Sequence, residues 1–176
     1  LAFIESCDVI DHYPVIRQDL EKTLTASYFI DLTDHFSMEG KFNENLFSLL
    51  ADFLALLTKE NVSDTAVRFF EMRLLKITGF EPALAACVRC KNPVINGGTY
   101  YFYPKEGGIF CTACARPQRY DQHVSSGTVR TLLLGKDMEM EKMKMVSMPE
   151  RLASESRSIL CGFISYVLGK EVKSLR

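Results

Sequence analysis

No stretch of the sequence approaches the roughly 20 apolar residues of a membrane-spanning helix. No signal peptide opens it, so the expectation is a soluble protein in a reducing, intracellular compartment. Histidine is scarce: His12, His35 and His123 are scattered and form neither an H-E-x-x-H nor a Ser/His/Asp pattern. Each is expected to be a surface or internally satisfied histidine. A glycine-rich phosphate loop is also missing, because the GG pairs starting at Gly97 and Gly107 fall where hairpin turns need glycine. The chain has no internal repeat and no low-complexity linker. These absences point away from hydrolytic, nucleophilic and nucleotide chemistry, and no enzyme is expected.

What the chain does have is enough apolar material for a core: 47% of its 176 residues are hydrophobic, so no metal is needed merely to fold. The net charge of -1 hides a polarity. Residues 1–60 carry 4 basic and 11 acidic side chains (-7), residues 87–120 carry 5 basic and 1 acidic (+4), and residues 142–176 carry 7 basic and 3 acidic (+4). An anionic partner is therefore expected at the middle or the end of the chain. A solvated face is the alternative reading of the same charges.

From Pro14 to Phe36, Ile16, Leu20, Leu24, Tyr28 and Leu32 recur every fourth residue and predict one amphipathic helix. Apolar residues are so dense from Leu46 to Leu57 that a second helix is expected to be buried on most sides, at the centre of the core. Ser63 or Asp64 can cap a third helix, with Val67, Phe70, Leu74 and Ile77 inward and Gly79 as its terminator. TYYFY at 99–103 then changes the period to two, PKEGG supplies a turn and IF follows, which predicts a β-hairpin. A short helix over about 126–134, a methionine-rich stretch and a last helix from near Pro149 to Gly169 complete the chain. The fold class is mainly α, a helical bundle with an inserted four-cysteine zinc-ribbon β-hairpin. Its expected divisions are 1–12 as the remnant of a preceding domain, 13–86 helical, 87–118 ribbon, and 119–176 helical.

Each end of the hairpin carries a Cys-x-x-Cys pair: Cys87 with Cys90, and Cys111 with Cys114. Two such turns, twenty residues apart and joined by a hairpin, can aim four sulfurs at one tetrahedral ion. A redox dithiol needs one pair at a helix N-terminus, and a reducing compartment disfavours disulfides. Spacing alone leaves a single iron in the same cage open beside zinc. Four thiolates leave no coordination position for water, so the metal is expected to be structural. Lys91 and Ala115, in place of the frequent glycine, follow the two pairs. Cys7 and Cys161 lie outside the ribbon and are expected to be small buried residues.

Arg89, Lys91, Lys105, Arg116 and Arg119 surround the pairs and could neutralise phosphates, while Tyr100, Tyr101 and Tyr103 could stack on unpaired bases. Lys170, Lys173 and Arg176 suit either DNA or the dipole of the last helix. The stretch DMEMEKMKMVSMP, with methionines at 138, 140, 143, 145 and 148, reads as an adaptable apolar surface.

The runs DHYPVIRQDLEKTLTASYFIDLTDHF, RFFEMRLLKITGFEPALAACVRC, FYPKEGGIFCTAC and SYVLGKEVKSLR together resemble the RecO family of bacterial recombination and repair mediators. The likeness covers nearly the whole chain. It implies an N-terminal OB-fold, of which LAFIESCDVI would be the tail, a helical domain, and a zinc ribbon that some members have lost. One departure is YVLGK, where relatives often place a histidine before the LG. The resemblance further implies a non-enzymatic mediator, cytoplasmic and nucleoid-associated. Such a mediator binds single- and double-stranded DNA, anneals complementary strands, and with RecR loads the recombinase RecA onto strands coated by single-strand binding protein. The acidic, apolar-ended tail of that protein would dock near Lys142, Met143, Lys144 and Arg151. The alternative is a protein-interaction scaffold that makes no direct DNA contact.

Overall fold

The structure, a computed structural model, describes residues 5–6, 8–37, 40–116, 122–143 and 145–170. The first expected helix is two: α1 (Pro14–Arg17) and α2 (Leu20–Phe36). Asp19 is the reason. Its backbone is extended and its side chain accepts a hydrogen bond from the Lys22 N–H at 3.1 Å, so it caps a fresh helix where the four-residue repeat predicted continuity. The restart turns Leu20 and Leu24 outward, at 75% and 62% exposed, while Ile16, Ala26, Tyr28, Phe29 and Leu32 go inside.

Helix α3 (Glu44–Lys59) is capped by Asn43 and helix α4 (Asp64–Ile77) by Ser63. Despite its dense leucines, α3 buries one stripe, Leu46, Leu49, Phe53 and Leu57, and leaves Phe47 exposed. The centre of the core is α4, which packs against α2 and α3 on one side and against two later helices on the other. It buries Phe69, Phe70, Met72, Leu74 and Leu75 together with Arg68 and Glu71. Those two charges lower its apparent hydrophobicity and hide its position from a reading of periodicity. Phe29, Phe53 and Phe70 meet there with ring centroids 4.2–5.6 Å apart. The end of α4 is a Schellman turn: Gly79, at φ 83°, donates to Lys76 O, and the Phe80 N–H donates to Leu75 O.

Three strands follow, β1 (Thr99–Tyr103), β2 (Gly108–Cys111) and β3 (Gln122–Ser125), in the antiparallel order β2-β1-β3. The third strand was not legible in the sequence, because QHVS is short and runs straight into a helix. Tyr100, Phe102, Ile109 and Val124 on the inner face join the same hydrophobic cluster as the helices. Helix α5 (Ser126–Asp137) leaves the sheet directly, α6 (Met140–Met143) is a single turn, and α7 (Glu150–Leu168) lies against β3 and α4. Phe163 of α7 meets the Phe102 ring edge-on at 5.5 Å.

The junction of β3, α5 and α7 is fixed by one carboxylate. Glu155 Oε2 accepts from the Ser125 N–H, the Ser125 hydroxyl and the Thr128 hydroxyl at 2.6–2.8 Å, while Oε1 accepts from Arg151 Nε. Helices α4 and α5 approach closely enough at Gly135 that a Cβ there would overlap the Phe69 ring.

Candidate metal centre

The sulfurs of Cys87, Cys90, Cys111 and Cys114 all lie within 4.8 Å of one another. A tetrahedral tetrathiolate with metal–sulfur bonds of about 2.3 Å would hold its sulfurs about 3.8 Å apart. Cys90 and Cys111 are already at 3.7 Å. The donor set and its spacing therefore fit a four-coordinate soft metal, and these residues could hold one.

Local backbone chemistry builds this convergence. In the first turn the Lys91 N–H donates to Cys87 O at 2.9 Å, and the Cys87 N–H donates to Asn92 O at 2.9 Å. Lys91 takes φ 60°, the left-handed conformation that glycine adopts without strain. In the second turn the N–H groups of Cys114 and Ala115 both donate to Cys111 O. The turns are held together by the segment that follows α4. Ala83 and Val88 bond along the free edge of β2, with the Ala83 N–H on Gly107 O and the Val88 N–H on Ile109 O, both at 2.8 Å. Gly108 is required there, since a Cβ would lie 2.7 Å from Ala83 O and 2.6 Å from Val88 Cγ2.

Cys87 is buried, Cys90 is exposed, and the other two are half-buried. Burial opposes ionisation of Cys87, but backbone N–H groups of Cys90, Cys111 and Arg89 outweigh it and bring its pKa down to about 6. Cys114 is pushed up to about 12 by its hydrogen bond with Cys111, by burial and by the other two sulfurs. Thiolates this close repel one another, so the set ionises fully only around a cation.

The basic residues do not form one cluster. Arg89 and Lys91 sit in the first turn and Arg116 just past the second, all exposed, whereas exposed Lys105 sits in the 3-10 turn Pro104–Glu106 at the opposite end of the hairpin. Lys170 is exposed at the end of α7; Arg119, Lys144, Lys173, Arg176 and Cys7 lie outside the described residues. Of the residues expected on a partner surface, Lys142 pairs with Glu139 at 2.7 Å and Arg151 pairs with Glu155. Met143 is a correction: it is 3% exposed, turned into the core by the α6 turn, and Met145 is the thioether that faces solvent. Tyr100 is likewise buried, its hydroxyl accepting from the Ile95 N–H.

A polar cluster that the sequence did not betray lies on the other side of α4. Glu71 Oε2 is 2.8 Å from Arg68 Nη1, and the Tyr28 hydroxyl donates to Glu71 Oε1. Burial pushes the Glu71 carboxyl up against the pull of Arg68. Arg68 also reaches Cys161 Sγ at 3.6 Å; this cysteine, expected to be buried, is half-buried, and desolvation raises its thiol pKa.

A family model described as Recombination protein O C terminal matches residues 17–176. The chain belongs to the RecO family. It is 47% identical, over its full length, to the DNA repair protein RecO of Syntrophus aciditrophicus (strain SB), of which it covers 69%. It is 33% identical over 97% of its length to RecO of Desulforamulus reducens and 30% identical over 98% to RecO of Caldicellulosiruptor saccharolyticus, covering 66% and 69% of those proteins. The chain thus spans about two thirds of the length of these RecO proteins. Two of the segments that resemble RecO help to assemble the cysteines: RFFEMRLLKITGFEP is α4 with its Schellman turn, and EGG is the turn whose second glycine admits Ala83. No helix among the described residues is long and apolar enough to cross a membrane.

Proposed function

We propose that the chain is the helical and ribbon part of a mediator of DNA repair and homologous recombination. It binds single- and double-stranded DNA, anneals complementary strands, and with RecR helps load RecA onto strands covered by single-strand binding protein, in the bacterial cytoplasm at the nucleoid. It performs no covalent chemistry itself. The observation that carries the reading is membership of the RecO family across residues 17–176, whose relatives are named as DNA repair proteins.

Within that role the four cysteines hold a structural Zn2+. The ion supplies a cross-link and no reactivity, because four thiolates close its coordination shell. Its effect is to join the 83–94 segment to the end of β2 and so keep the sheet seated on α7. Residues 1–12 would continue into a preceding OB-fold, residues 87–118 form the ribbon, and 13–86 with 119–176 form the helical body. The tail of single-strand binding protein would dock near Lys142, Lys144 and Arg151, with Met145 in place of the buried Met143.

The scaffold alternative has one physical argument in its favour. A zinc tetrathiolate carries a charge of about -2, so Arg89, Lys91 and Arg116 are partly occupied in balancing it. A gel shift with the 176-residue chain decides between the two. Binding to single-stranded oligonucleotide that weakens steeply with salt supports the mediator reading, and no shift even at low salt supports the scaffold.

A further inference from the structure

The inner face of the sheet is spent on the core, but its outer face is not. Strand alternation places Tyr101 and Tyr103 of β1 on that outer face, and register places Phe110 of β2 and His123 of β3 beside Tyr101. His123 is exposed and the other three rings are half-buried. Tyr101 and His123 lie with ring centroids 4.5 Å apart, and Tyr103 meets Phe110 edge-on at 5.1 Å. Four π-systems on three neighbouring strands thus make one continuous aromatic surface turned away from the helices.

We propose that this surface is a stacking platform for the unpaired bases of a single-stranded nucleic acid. The proposal rests on the DNA-binding reading above and assigns it a place. Three observations favour this occupant. The rings offer flat faces that any base can stack on without sequence preference. Exposed Arg89, Lys91, Lys105 and Arg116 lie around the sheet at both ends of the hairpin, with Glu106 as the one acid among residues 87–116, so a phosphate backbone crossing the face finds cations on either side. Finally, Tyr101 and Tyr103 are two residues apart on a strand, hence about 6.6 Å, or about twice the 3.4 Å rise of stacked bases. A single strand can splay its bases to seat one on each ring, whereas a duplex would first have to give up its pairing and stacking.

The platform divides labour with the cations. Stacking distinguishes single strands from duplex, while the basic side chains contribute the salt-dependent part of affinity. It also gives the metal centre a task, since Cys111 closes β2 opposite Tyr100 and the metal would fix the strand that carries Phe110.

The test is fluorescence anisotropy with labelled oligo-dT and with a duplex of equal length, on the zinc-loaded 176-residue chain. Tyr101→Thr and Phe110→Val keep residues that suit strands, and circular dichroism checks that each variant folds; Tyr101→Phe keeps the ring and serves as rescue. Each ring removed is expected to lower oligo-dT affinity roughly 5- to 150-fold. The slope of affinity against salt stays unchanged, since no phosphate contact is lost. Duplex binding and Tyr101→Phe stay at the parental level. Equal oligo-dT affinity in folded Tyr101→Thr and Phe110→Val would overturn the platform while leaving DNA binding intact. Failure of the parent chain to bind oligo-dT at all would remove the DNA-binding reading together with it. Intact oligo-dT binding with loss of an acidic, apolar-ended peptide in the same variants would assign the face to a protein partner instead. Should Tyr101→Thr unfold, Tyr103→Thr carries the same expectation.

Discussion

Lys91 is held at φ 60° immediately after the first Cys pair, and its substitution by glycine tests whether this turn is built as the metal requires. For an L-residue the left-handed conformation costs about 1–2 kcal/mol. Glycine removes that cost but adds about 0.5–1 kcal/mol of backbone entropy to be lost on folding. The Lys91 side chain is exposed, so little packing is lost with it. Lys91→Gly should therefore stabilise the zinc-loaded chain by about 0.5–1 kcal/mol. For a chain of this size that raises Tm by about 1–4 °C, or tightens zinc up to about fivefold if the metal-free form has lost the turn. Lys91→Ala separates charge from conformation: it removes the ammonium and keeps the strained φ, so it should show no gain. Thermal unfolding of the three zinc-loaded proteins, with a chelator competition for affinity, reads both quantities. A Lys91→Gly protein no more stable than Lys91→Ala would refute the reasoning.

Two glycines of α5 give opposite expectations from one helix. Gly135→Ala drives a Cβ into the Phe69 ring and should destabilise by about 1–3 kcal/mol, whereas Gly127→Ala meets Leu152 at an ordinary 3.5 Å and should stabilise by up to about 1 kcal/mol; chemical denaturation ranks them against the parent. Burial disfavours the Glu155 carboxylate, but hydrogen bonds from Thr128, Ser125 and Arg151 outweigh it and hold its pKa below the usual range. With the folded pKa below the unfolded one, its contribution is complete above the unfolded value of about 4.3 and is lost as pH falls through the folded value. Glu155→Gln should cost about 2–3 kcal/mol at neutral pH and flatten that acid limb in a pH series of unfolding curves. Removing zinc with a chelator should loosen residues 83–116 and leave α2, α3 and α4 folded around Phe29, Phe53 and Phe70, as amide hydrogen exchange would reveal.

The sequence disclosed what is local and periodic. Caps at Ser63, the Schellman glycine at Gly79, the strand at 99–103 and the two Cys pairs all declare themselves within a few residues, because each depends on short-range hydrogen bonding or spacing. What it hid depends on contacts across the chain. Asp19 could as well have been a surface residue in a long helix, and only its cap breaks α1 from α2. The burial of Arg68 and Glu71 needs Tyr28 from another helix, so α4 looked half polar while standing at the centre. Strand β3 is four residues long and acquires its identity by pairing with β1. At the candidate site the convergence of Cys87, Cys90, Cys111 and Cys114 was legible from spacing alone. The face that each tyrosine takes was not, since alternation fixes that Tyr100 and Tyr101 oppose each other but not which one the core will claim.

X-ray absorption at the zinc edge on the purified protein tests the central claim most directly. Four sulfur scatterers at about 2.3 Å, with one zinc per chain, is the result expected of Cys87, Cys90, Cys111 and Cys114 closing a structural site. A shell containing nitrogen or oxygen, or a protein that binds no zinc, would contradict it.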